Sequence, residues 1–227
     1  MTFKPPIEDL RLALATAGYD RLAPFFPAAD EATSRQVLEA AGTLAEKVLA
    51  PLNRSGDEEG ARLENGRVAA PEGFKDAYRA FAEGGWTGLT AEAEFGGQGL
   101  PRALQSACYE MFQAANMAFA LCPTLSLAAI DALTAHGDEA QKRRYLRRLV
   151  SGEWTGTMNL SEPQAGSDLG AIRTKAQSDG TGGWRLTGEK IFITWGDHDL
   201  ADNILHMVLA RLPDSPPGSR GLSLFVV

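Results

Sequence analysis

Met158-Asn159-Leu160-Ser161-Glu162-Pro163-Gln164-Ala165-Gly166-Ser167-Asp168, followed further on by Gly188-Glu189-Lys190-Ile191-Phe192-Ile193-Thr194, is the stretch that organises the reading of this chain. The first run puts a proline, a glycine and small hydroxyl side chains into one loop. Proline restricts its own φ and the conformation of the residue before it. Gly166 has no Cβ, so the main chain can come within hydrogen-bonding distance of a flat ligand. Ser161, Ser167 and Thr194 can each donate or accept. A structural turn is the competing reading of the first run taken alone.

Working outward, the chain before this loop reads as helical. Val37, Ala41, Leu44, Ala45 and Val48 recur at helical spacing, and Pro51 is expected to stop the run. Arg54 to Asn65 reads as a charged surface connection. Phe74, Ala77, Tyr78 and Phe81 mark one buried helical face ended by Gly84-Gly85. Glu94 to Gly99 reads as a plain turn-rich loop, because no strand precedes its glycines. Leu104, Ala107, Cys108, Met111, Phe112 and Ala115 form a third apolar face, and a mostly apolar helix follows from Leu121 to Ala135. Asp138 and Glu139 at the start of the next helix, and Arg147 and Arg148 at its end, suit the helix dipole.

The character changes at Trp154. Trp184 to Leu186, Ile191 to Thr194, Ile204 to Ala210 and Leu222 to Val227 are short β-branched or aromatic runs between Gly, Asp, Asn and Pro, which predict antiparallel strands of a sandwich or barrel. The expected class is α+β, with a helical bundle domain over 1–153 and a β domain over 154–227. The last run reads as the start of a strand at which the chain stops, so the β domain is expected to be incomplete, with an unpaired edge.

Bulk properties bound the function. At 227 residues, 44% hydrophobic and 22% charged, the chain is long enough to build real cores. A net charge of −7 argues against general nucleic-acid binding. Cys108 and Cys122 read as core residues in a reducing compartment. The N-terminus Met1-Thr2-Phe3-Lys4-Pro5-Pro6 lacks a secretory pattern, and no run is expected to approach the roughly 20 apolar residues of a membrane span. The expectation is a cytoplasmic protein without membrane insertion.

Glu-Pro-x-Ala-Gly-Ser-Asp, Gly-Glu-Lys-Ile-Phe-Ile-Thr and the preceding His136-Gly137-Asp138-Glu139-Ala140-Gln141-Lys142, in this order, resemble the acyl-CoA dehydrogenase family. Asn159-Leu160-Ser161, Ile172-Arg173-Thr174-Lys175 and Gly196-Asp197-His198-Asp199-Leu200 resemble its branch acting on 3-methylmercaptopropionyl-CoA and related thioesters, with 1–65 as an extended N-terminus. The resemblance implies an FAD cofactor, an acyl-CoA substrate, an electron-transfer flavoprotein as reoxidant, and a homodimer or dimer of dimers. It implies that Met158 to Ser161 lie along the flavin, with Leu160 and Ser161 bonding the pyrimidine edge. Close approach at Gly166 would let Ser167 contact the pyrophosphate and lie near the thioester. Phe192 would cover the flavin face, next to Ile193, and Thr194 would bond near N5. The implied chemistry is α,β-desaturation, in which a carboxylate takes the α-proton and a β-hydride passes to the flavin. In the family this base is a glutamate of a C-terminal helical domain, beyond residue 227, so no catalytic residue is assigned here and the 227 residues alone are expected to be inactive. Two other classes compete: a non-catalytic acyl-CoA or flavin binding module, and an interaction protein with a vestigial loop.

Other constellations are weaker. Ser167-Asp168 with His198 lacks the G-x-S-x-G elbow of a hydrolase. Asp197, His198, Asp199, Asp202 and His206 look metal-like but read better as a polar loop, and no metal is expected. Lys142, Arg143, Arg144, Arg147 and Arg148 read as a solvated helix face rather than a phosphate site.

Overall fold

A computed structural model describes residues 3–227. Seven α-helices come first: α1 (Ile7–Thr16), α2 (Glu31–Leu44), α3 (Pro51–Glu59), α4 (Phe74–Glu83), α5 (Arg102–Ala115), α6 (Met117–His136) and α7 (Glu139–Val150). A short exposed hairpin, β1 (Arg62–Glu64) and β2 (Arg67–Ala69), lies between α3 and α4. Then come β3 (Trp154–Asn159), β4 (Lys175–Ser178), β5 (Trp184–Thr187), β6 (Asn203–Arg211) and β7 (Leu222–Val226) in one five-stranded sheet. A helical part followed by a sheet part is the expected order.

Local chemistry explains the helix limits. Asp138 accepts from the Gln141 amide at 2.8 Å while Gln141 Oε1 accepts from the Asp138 amide at 3.0 Å, a reciprocal cap for α7. Gly84 and the left-handed Gly85 (φ 71°) end α4. Pro51 does not stop the second helix. A π turn over Ala45–Leu49 leads into α3, with Pro51 as its first residue. The chain stays helical through it because the π turn, in which the Ala50 amide donates to the Ala45 carbonyl at 2.9 Å, absorbs the turn at which proline supplies no amide. Arg54 to Glu59 is therefore helix rather than loop, and Gly56 is needed because a Cβ would sit 2.5 Å from the Phe74 ring.

Two cores result. The first joins α2, α4, α5 and α6 through Leu38, Phe81, Phe112 and Phe119, with Phe81 edge-on to Phe112 at 5.2 Å. The second lies where α6 and α7 meet the sheet, through Ile130, Leu133, Leu146, Leu149, Leu205 and Met207. α6 is 20 residues long and, by length and composition alone, apolar enough to cross a membrane, contrary to expectation. Here it is the central core helix, with Phe119, Ala129, Ile130 and Leu133 buried.

The sheet is mixed rather than antiparallel. β3 runs parallel to β6, from Trp154↔Asn203 to Asn159↔Val208, and β4 joins β6 in parallel at Lys175↔Arg211. β4–β5 and β6–β7 are antiparallel. Residue alternation marks a strand but not its direction. The long excursion from β3 to β6 carries the chain back to the starting end, as a parallel pair requires. Gly156 lets β3 lie against α6: a Cβ there would be 2.6 Å from the Ala129 Cβ, and its amide donates to Ser126 Oγ at 3.0 Å.

Candidate functional site

The two quoted loops leave this sheet on either side of β4 and β5 and meet. The Ile191 amide donates to the Ser161 carbonyl at 3.0 Å. Lys190 Nζ reaches the Leu160 carbonyl at 3.0 Å and Glu162 Oε1 at 2.9 Å. The first loop begins as a tight turn in which the Glu162 and Ala165 backbones exchange hydrogen bonds of 2.7 and 3.0 Å across Pro163-Gln164. Sequence spacing and backbone pairing thus converge on one place.

Glu162 is the hub. It is 5% exposed, and its carboxylate receives five donors. Oε1 accepts from the Thr174 hydroxyl (2.5 Å), the Thr174 amide (3.0 Å) and Lys190. Oε2 accepts from the Arg173 amide (2.7 Å) and Gln164 Nε2 (2.6 Å). Burial alone would push this carboxyl up. The Thr174 hydroxyl, the backbone amides and the Lys190 ammonium more than offset that and hold it at about 2. Two of its donors are the backbone amides of Arg173 and Thr174, so Glu162 holds the loop together, a role spacing alone could not separate from chemistry.

A pH dependence follows. The folded-state pKa lies below the ordinary value, so the stabilisation is complete above about 4.5 and disappears as pH falls toward about 2. The contribution is on the order of 3 kcal/mol. Denaturant midpoints should fall across that window more steeply in the parent chain than in Glu162→Gln. Parallel acid profiles for the two would refute the assignment.

The candidate cofactor residues divide into distinct groups. Met158 turns its side chain into the second core, so only its backbone is available at the loop. Leu160 and Ser161 are half-buried, with their carbonyls already used by Lys190 and Ile191. Gly166, Ser167 and Thr194 are exposed and Ile193 is half-buried. Ile191 to Thr194 is not the expected strand. Phe192 adopts a left-handed conformation (φ 56°) that breaks strand geometry and leaves its ring 89% exposed. The exposed ring on a left-handed backbone makes Phe192 a candidate functional position.

Gly166 tests the fit of a flat ligand. Of the 24 glycines, it alone has neither a positive φ nor any atom within 4 Å of a Cβ built on it. Neither the fold nor its neighbours require glycine there. The open space over Gly166 leaves room for a flat ligand to lie on the backbone, which fits the implied FAD.

The competing constellations separate in space. His198 is buried, with Nε2 2.9 Å from Thr155 Oγ1 and Nδ1 accepting from the Leu200 amide at 3.1 Å. Burial pushes this imidazole down to about 4. Both nitrogens are engaged, so it forms no triad with the exposed Ser167. His206 Nδ1 lies 2.6 Å from Thr157 Oγ1 on the same sheet face. Among the described residues, no group of three or more His, Cys, Asp or Glu is arranged to hold a metal. Of the α7 cations, Lys142 and Arg143 pair with Glu139, Arg148 pairs with Glu153, and Arg147 caps the Glu94 carbonyl.

Residues 31–153 match the family description "Acyl-CoA dehydrogenase, N-terminal domain" and residues 157–227 match "Acyl-CoA dehydrogenase, middle domain". The chain is 48% identical, over its whole length, to 3-methylmercaptopropionyl-CoA dehydrogenase of Ruegeria pomeroyi, and spans 39% of that protein. It superposes on butyryl-CoA dehydrogenase from Megasphaera elsdenii with a TM-score of 0.72 at 26% identity, covering 86% of this chain and 48% of that one. The fold is shared, at a TM-score of 0.69 and 22% identity, by a glutaryl-CoA dehydrogenase from Mycobacterium smegmatis in complex with FADH2, covering 87% of this chain and 45% of that one. On the two domain matches and the order of helices, sheet and paired loops, the chain belongs to the acyl-CoA dehydrogenase family.

Proposed function

We propose that this chain supplies the flavin-holding half of an FAD-dependent acyl-CoA dehydrogenase that introduces an α,β double bond into an acyl-CoA thioester. The observation that carries it is the joined pair of loops, with open space over Gly166 and an exposed ring at Phe192. The chemistry that FAD would supply when bound is acceptance of the β-hydride. The chain's own residues bind and orient. Backbone groups of Met158 to Ser161 and the hydroxyls of Ser161, Ser167 and Thr194 would hold the cofactor's polar edge and phosphates, with Ser167 nearest the thioester. Phe192 and Ile193 would exclude water from one face.

Glu162 is not the base that removes the α-proton. Its carboxylate is saturated by donors and held at about 2, far too weakly basic to take a carbon-bound proton. On the family resemblance the base would be a carboxylate of another part of the enzyme, and the 227 residues alone are expected to bind FAD weakly and turn nothing over. An electron-transfer flavoprotein as reoxidant, a homo-oligomer and a cytoplasmic site complete the proposal.

Titration with FAD, read by flavin fluorescence and thermal melting, tests it. The parent chain should show saturable binding and a raised midpoint. Gly166→Ala should melt as the parent does without FAD, since its Cβ meets no atom within 4 Å, yet bind FAD about tenfold more weakly or worse. A parent chain that stays colourless with no melting shift would favour an interaction role. Reduction of a dye by acyl-CoA on this chain alone would overturn the missing-base argument.

A further inference from the structure

The second loop is held at both ends. At one end the Ile191 amide and Lys190 tie it to the first loop. At the other, Trp195 leaves the sheet layer and docks on the helices. Its indole stacks on Phe74 at 6.2 Å and 27°, and Nε1 donates to the carbonyl of Ala118, in the first turn of α6, at 2.9 Å. The same ring meets His198 edge-on at 5.5 Å, and His198 is bound to Thr155 of β3. The Phe74 ring in turn occupies the space left by Gly56. Trp195 thus links the second loop to the helical core directly and to β3 through His198.

Between these anchors lie only Phe192, Ile193 and Thr194. The Gly196 amide closes a turn onto the Ile193 carbonyl at 3.0 Å. Trp195 (φ 53°), like Phe192, is left-handed, an unfavourable conformation for a bulky residue that persists only where its surroundings dictate it. Removing the indole releases one end, and the three spanning residues gain freedom that a ligand must then remove.

We propose that Trp195 is a positioning residue: by docking on Phe74 and Ala118 it pre-arranges Phe192 and Thr194 for the cofactor without touching it. This rests on the flavin reading above. It is tested on the same chain by FAD titration and by amide hydrogen exchange without FAD. Trp195→Ala should weaken FAD binding about tenfold or more and speed exchange at the Gly196 and Ile191 amides by a similar factor, leaving the α7 amides unchanged. Trp195→Phe, which keeps a stacking ring but not the bond to Ala118, should fall between, roughly threefold from the parent on both readouts. FAD affinity in Trp195→Ala within about twofold of the parent overturns the inference. If Trp195→Ala does not fold, Trp195→Phe decides, and parental values on both readouts overturn it. A parent chain that binds no FAD overturns the flavin reading together with this one, a result distinct from unchanged affinity in the variants.

Discussion

Glu162→Ala is expected to cost roughly 3–5 kcal/mol of folding stability, because it strips a buried ammonium and several amides of one shared acceptor. Five donors converge on the carboxylate: Thr174 twice, Lys190, Arg173 and Gln164. Glu162 and Lys190 side chains are 3% and 11% exposed, so water cannot easily replace what is lost. Leaving such donors unpaired costs far more than the net value of the bonds themselves. Against a total stability of ~5–15 kcal/mol, this is a large share. A guanidinium unfolding series measures it. A loss below about 1 kcal/mol would mean that water enters and re-solvates the pocket, and the description of Glu162 as the hub would be wrong. The effect on the site should be at least as large, since Lys190 holds the Leu160 carbonyl as well.

Gly188→Ala should also be strongly disruptive, and it contrasts with Gly166→Ala. A Cβ at Gly188 would lie 2.2 Å from the Thr174 hydroxyl and 2.8 Å from the Thr174 Cα. A backbone atom cannot swing aside as a flexible side chain does. The second loop must lift off Thr174, the residue that also donates twice to Glu162. We expect a cost of about 1–3 kcal/mol from overpacking, with further loss as the Glu162 network loosens. Thermal melting checks the first effect, and FAD titration the second. If Gly188→Ala melts within a degree or two of the parent, roughly, the two loops are not locked together as described. Two glycines in the same pair of loops therefore carry opposite signatures, one stability and the other binding.

Much of this was legible in the chain. Helical periodicity located α4 and α5 because each buries an apolar stripe, while α6 was marked by its nearly continuous apolar run and α7 by the charges at its two ends. The two loops were legible through the order and spacing of their motifs, since glycine, proline and small hydroxyl residues taken alone mark any turn. Pro51 misled because a proline at the first position of a helix and one that ends a helix look alike without the π turn before it. Ile191 to Thr194 misled because β-branched and aromatic residues favour strands on average, whereas anchors at Lys190 and Trp195 impose another backbone here. The resemblance places Met158 along the flavin, and only the pleat of β3 shows that its side chain packs against the second core.

Identity and order, then, were determined by the sequence: a helical part, a sheet part and two loops rich in glycine and hydroxyl residues, each encoded by residues that act on near neighbours along the chain. What only the tertiary structure decided is direction and partnership. Parallel pairing of β3 with β6, the five donors on Glu162 and the docking of Trp195 on Phe74 all join residues far apart in sequence. Such contacts follow from how the whole chain closes on its cores, which no local preference of the residues specifies.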